Sequence, residues 1–198
     1  MGRKRKVILI TDGDVIAKTV IEETAKKIGG RCISLSAGNP TPFSGEEILE
    51  MIKQTPKDPV LVMFDDNGHR YKGDGEKALE YIANHPDITV LGVLAVASNT
   101  TNVNGVKVDF SIDRNGRITR SGVNKDGDKV GGPLRIYGDT VDVLNRLEIP
   151  LVIGIGDIGK MGGKDSIKKG SPITYKAIKL IMEWGEQHEE KNEVTRKK

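Results

Sequence analysis

The sequence predicts one α/β domain, a three-layer α/β/α sandwich around a mainly parallel central sheet, with a β-hairpin on its rim. Three observations lead there. Short runs rich in Val, Ile and Leu recur along the chain, as strands buried on both faces require. Segments with helical apolar spacing alternate with those runs, and right-handed βαβ crossovers are the economical way to connect them. Aromatic residues make up only 4% of the 198 residues while glycine supplies 24, so aliphatic side chains fill the core and tight turns are frequent.

The first strand is expected at residues 7–10, ending at Thr11-Asp12-Gly13-Asp14. Val15, Ile16, Val20, Ile21, Ala25 and Ile28 then recur at helical spacing, and Gly29-Gly30 supplies the stop. Residues 31–35 read as a second strand. Ser44 with Glu47 forms a capping box that opens a helix to about Gln54. Residues 60–64 are the central strand, running straight into Asp65-Asp66. A helix over about 75–83 presents Ala78, Leu79 and Ile82 to the sheet, and residues 88–97 form the fourth strand.

Beyond it the pattern changes. Val108, Phe110 and Ile112 alternate with polar residues, and Asn115-Gly116 turns the chain before Ile118, a half-exposed hairpin. Asp139 is expected to cap a short helix reaching Leu147. Residues 150–155 are another buried strand, and a helix begins at Ile173 and runs to about Glu186. The single domain is expected over residues 1–190, with residues 191–198 a charged, disordered tail.

The formal net charge of +3 is small, and no nucleic-acid partner is expected. Its basic residues cluster at Arg3-Lys4-Arg5-Lys6 and Arg196-Lys197-Lys198, runs that read as solvated termini and would also suit an anionic membrane surface. No apolar stretch nears the roughly 20 residues that span a bilayer, so a soluble, cytoplasmic-type protein is expected. A lone cysteine, Cys32, excludes an internal disulfide and reads as core filler.

Two constellations could carry chemistry. Asp12 and Asp14 follow the first strand, and Asp65 and Asp66 follow the third. In a parallel sheet both loops leave at the carboxyl edge, where α/β proteins bind ligands. Four converging carboxylates would repel one another unless some bind protons or a cation neutralises them, which makes these residues the candidate site for Mg²⁺ or Ca²⁺. Capping and turn formation are the structural alternatives for the same residues.

The second constellation runs from Gly154 to Lys160 and matches phosphate-loop spacing up to its lysine. Met161 stands where a Ser or Thr should bind magnesium, and Gly162-Gly163 disfavours the helix that should follow. A looser anion site at Gly156, Gly159, Lys160 and Lys164 remains open. His69, just past Asp65-Asp66, reads as an exposed loop histidine. No complete catalytic set is present, so enzymatic activity is not expected.

A strand ending in acid-Gly, followed by helix, strand, helix and a strand ending in paired acids, resembles Toprim-like domains, within the broader Rossmann-like architecture. Those domains carry a catalytic glutamate on the first strand and a magnesium-binding Asp-x-Asp on the third. Asp12 and the contiguous Asp65-Asp66 depart from both. The alternative function that this resemblance implies is a Mg-dependent phosphoesterase or nuclease using the acidic cluster.

A more specific likeness spans nearly the whole chain. The stretches that carry it include Arg5 to Asp14, Gly29 to Pro40, Asp58 to Asp66, His85-Pro86-Asp87-Ile88, Ser111-Ile112-Asp113-Arg114, Gly154 to Met161 and Lys169 to Thr174. Together they are similar to the soluble stage V sporulation protein AE family of spore-forming bacteria. The resemblance implies an accessory of the spore calcium-dipicolinate channel system, acting in sporulation and germination. Its implied partners are membrane proteins of the same operon, calcium dipicolinate and an anionic membrane surface. Its implied location is the forespore and spore, peripheral to the inner spore membrane. It implies no catalytic residues.

Overall fold

A computed structural model describes residues 4–67, 73–100 and 103–196 of the chain. In chain order the elements are β1 (Arg5–Ile10), α1 (Val15–Lys27), β2 (Arg31–Ile33), α2 (Gly45–Gln54), β3 (Val60–Met63), α3 (Asp74–Asn84) and β4 (Ile88–Val96). The short strands β5 (Val106–Lys107), β6 (Phe110–Ile112), β7 (Ile118–Thr119) and β8 (Arg135–Ile136) follow, then β9 (Val152–Ile155) and α4 (Pro172–Arg196). Seven strands form one sheet in the order β2-β3-β1-β4-β9-β6-β7. All its pairings are parallel except the β6–β7 hairpin. The expected three-layer sandwich is what the chain forms.

Alternate residues of each strand fill the two cores, as the pleat demands. Ile8 and Ile10 pack with Val20 and Ile21 of α1 and Ile178 and Ile181 of α4 on one face. Val7 and Leu9 pack with Ile48 and Ile52 of α2 and Leu79 and Ile82 of α3 on the other. Cys32 is half-buried on β2, and burial pushes its thiol up to about 12, which leaves it unreactive near neutrality. It fills space, as expected.

The helix signals operate as the sequence implies. Ser44 Oγ accepts from the Glu47 N–H while the Glu47 carboxylate accepts from the Ser44 N–H. Gly29 adopts φ +73°, past the end of α1, a conformation that costs other residues more than glycine. The rim hairpin turns at Asn115-Gly116, where Asp113 Oδ1 accepts from the N–H groups of Asn115 and Arg117.

Several expectations need correction. The second strand stops at Ile33 because Ser34–Ser36 forms a 3-10 turn. Ser36 Oγ there donates to the Ile33 carbonyl and accepts from the Met63 N–H. Asp139 caps no helix: the turn that follows is a 3-10 segment, Asp142–Arg146, without a side-chain cap. Asp142 instead accepts from the N–H groups of Asn104 and Gly105. The two-stranded β5–β8 sheet was not expected, since two-residue strands leave no readable alternation. The last helix runs on to Arg196 rather than ending near Glu186.

Candidate functional site

β1 lies between β3 and β4, and it runs parallel to both. The chain leaves β1 toward α1 on one face and leaves β3 toward α3 on the other. Adjacent strands whose connections diverge in this way open a crevice at their carboxyl ends. Here the crevice is a cleft of about 280 Å³ whose lining includes Asp12, Asp14, Asp65, Asp139, Asp157 and Lys160. The loops after β1 and β3 therefore share one rim, as the sequence required.

Local geometry sets each carboxylate's role. Gly13 lets two loops meet: a Cβ there would lie 2.8 Å from the Gly38 carbonyl and 3.0 Å from Asp65 Cβ. Asp14 is the N-cap of α1, accepting from the Ala17 N–H at 2.8 Å. Its other oxygen lies 2.7 Å from Lys160 Nζ, which also reaches Asp157 at 3.0 Å. One ammonium thus ties the first turn of α1 to the loop after β9.

The electrostatics follow from these contacts. Burial pushes the Asp14 carboxyl upward, but Lys160 and the helix N–H groups outweigh it and hold the group below its usual value. Asp157 shares the lysine without a comparable set of N–H donors, and burial leaves it raised. The Lys160 ammonium is itself raised, because its two carboxylates outweigh burial. Asp12 is pushed up to about 8 by burial and by the neighbouring Asp14, Asp157 and Asp65. Asp65 is pushed up to about 6, mainly by burial, although it accepts from the Asn67 N–H. At neutral pH Asp12 is then largely protonated and Asp65 largely ionised.

Asp66 does not join this group. It is buried and turned toward α3, where it accepts from the N–H groups of Gly75 at 2.7 Å and Glu76 at 2.9 Å. It caps that helix from nine residues upstream, so three of the four sequence candidates share the cleft and the fourth holds a helix. Asp157 and Asp139 are the acids that sequence reasoning missed. Asp157 sits in the phosphate-loop-like segment and could have been read as an acid at the end of β9, whereas Asp139 carried no signal.

Among the described residues, no three His, Cys, Asp or Glu side chains are arranged to hold a metal ion. Mg²⁺ or Ca²⁺ fits poorly here, because Lys160 already neutralises Asp14 and Asp157. His69 lies outside the described residues.

The looser anion site is not assembled as drawn. The Gly159 N–H donates to Asp165 at 3.0 Å and the Lys160 N–H to the Asp157 carbonyl at 3.2 Å, so neither is free to cradle an anion. Gly156 packs against Gly127 and Lys125. Lys160 faces the cleft, and Lys164 is exposed and outside its lining. Asp165 is fully buried and accepts from the N–H groups of Ile173 and Thr174 and from the Thr174 hydroxyl as well. It anchors the start of α4.

At the opposite end of β1, Arg5 folds back onto the turn before β3. Its guanidinium pairs with Asp58 at 2.9 Å and donates to the Thr55 and Lys57 carbonyls. That part of the basic N-terminal run serves the fold itself. Arg3 and the final residues Lys197 and Lys198 lie outside the described residues.

Residues 6–185 match a protein-family model described as Stage V sporulation protein AE1. No curated protein matches the chain, and no solved structure matches it.

Proposed function

The chain belongs to the Stage V sporulation protein AE1 family, and on that premise we propose that it is an accessory protein of the spore calcium-dipicolinate channel system. The family gives it a sporulation-related role. The finer reading is that it acts in sporulation and germination by docking on membrane proteins of the same operon, or on the anionic surface of the inner spore membrane. Calcium dipicolinate is the solute whose passage it affects.

The observation that carries this reading is the family match over almost the entire chain. Two structural features agree with a docking protein rather than a catalyst. In the cleft Lys160 bridges Asp14 and Asp157, and among the described residues no three His, Cys, Asp or Glu side chains are grouped to hold a metal ion. Among the described residues no helix is long and apolar enough to cross a membrane, and the reading assigns the channel itself to the partner proteins.

The test is genetic. Spores lacking the protein should differ from the parent in dipicolinate content or in its rate of release during germination, and restoring the gene should reverse the change. Unchanged content together with an unchanged rate would remove the reading.

A further inference from the structure

The carboxyl rim of the sheet carries three apolar side chains that the fold leaves in water. Val15 is 81% exposed and Ile16 40%, both in the first turn of α1, and Leu35 is 58% exposed in the 3-10 turn after β2. Among the described residues only Ile118, Tyr137 and Ile167 are other large apolar side chains exposed to this degree, and they belong to other segments. The close approach of Gly13 to Gly38 brings the segments bearing Val15 and Leu35 to the same rim as the cleft, whose lining includes Asn39. Isolated exposed aliphatics need no explanation, but three on one rim next to a concave recess form an apolar surface that a partner can cover.

The recess has the opposite polarity. Its lining sets the carboxyls of Asp12, Asp14, Asp65, Asp139 and Asp157 against two lysines, Lys125 and Lys160, and Lys160 is already committed to Asp14 and Asp157. Its volume is about 280 Å³, at the low end of the roughly 300–1,000 Å³ typical of ligand pockets. That scale suits one long side chain inserted from outside.

We propose that this rim is a docking surface for a segment of a partner protein, which inserts a Lys or Arg side chain toward the Asp65 carboxylate and lays apolar residues on Val15, Ile16 and Leu35. Charge complementarity selects the basic residue. The apolar collar excludes water around it, which strengthens the buried ion pair. This inference rests on the docking role proposed above and identifies the surface that performs it.

Full-length protein should be titrated by fluorescence anisotropy with labelled peptides of about 12 residues, the length of a short docking segment. One set carries Lys or Arg between Leu and Val residues, and the matched set carries Glu. Phosphatidylglycerol vesicles are the parallel probe. Basic-centred peptides should bind and Glu-centred ones should not. Val15→Asp and Leu35→Asp lie on the surface and should each weaken binding by roughly tenfold or more. Asp65→Asn should weaken it severalfold with the collar intact. The proposal is overturned if neither peptide set binds, if only vesicles bind, or if binding is indifferent to the collar substitutions. A deletion strain with normal spores would remove the spore role while leaving peptide binding in place. Failure of the peptides alone would remove only the surface.

Discussion

Lys160 Nζ stands 2.7 Å from Asp14 Oδ2 and 3.0 Å from Asp157, joining two elements separated by more than half the chain. The bridge is about a third exposed on all three side chains, so solvent screening reduces its value. Lys160→Met should lower stability by about 1–2 kcal/mol at pH 7, chiefly because two carboxylates lose their counter-charge. The Asp14 carboxyl is held below its ordinary value, so the stability it contributes is present above the unfolded pKa and lost as pH falls through the folded one. The gap between variant and parent should therefore close in strong acid, as urea melts across pH will show.

Asp12 and Asp65 have the opposite sign. Their folded values of about 8 and about 6 lie above the unfolded carboxyl value, so the folded state binds more protons between them. Stability should fall as pH rises from about 4 toward 8, with the Asp65 contribution spent near 6 and that of Asp12 near 8. Asp12→Asn removes the buried charge and should flatten the alkaline part of that decline. The variant should be at least about 1 kcal/mol more stable than the parent at pH 9, measured by the same melts.

The neighbours Asp65 and Asp66 should separate cleanly on mutation. Asp66→Ala strips two N–H acceptors from the start of α3 and should cost about 1–3 kcal/mol. Asp65→Asn should cost less, while changing the pH profile. Hydrogen exchange should show the early amides of α3 opening only in the Asp66 variant.

Asp165→Ala leaves the Gly159, Ile173 and Thr174 N–H groups and the Thr174 hydroxyl without their buried acceptor. The expected loss is about 3–5 kcal/mol, a large share of a typical domain's stability. Asp165→Asn keeps one acceptor oxygen and should recover part of it. Thermal denaturation of the two variants checks the order.

The sequence reading reached the sheet because its strands are continuous aliphatic runs, and it reached the shared rim because a parallel sheet sends every such loop to one edge. It could not divide Asp65 from Asp66. That division depends on Gly75 and Glu76, which enter the site only once α3 has packed. Nor could it find the Lys160 bridge, since Asp14 and Lys160 meet through the strand order and not through any local spacing. The β5–β8 pair escaped because two residues per strand carry no period. The capping box at Ser44, by contrast, is a local device and was readable at once.

The most direct measurement of the account is the time course of dipicolinate release from germinating spores that carry the parent protein, no protein, or the Val15→Asp/Leu35→Asp form. If the chain works by docking through its carboxyl rim, the double variant should fold, accumulate normally and reproduce the deletion's altered release. Release indistinguishable from the parent in both the deletion and the rim variant would contradict it.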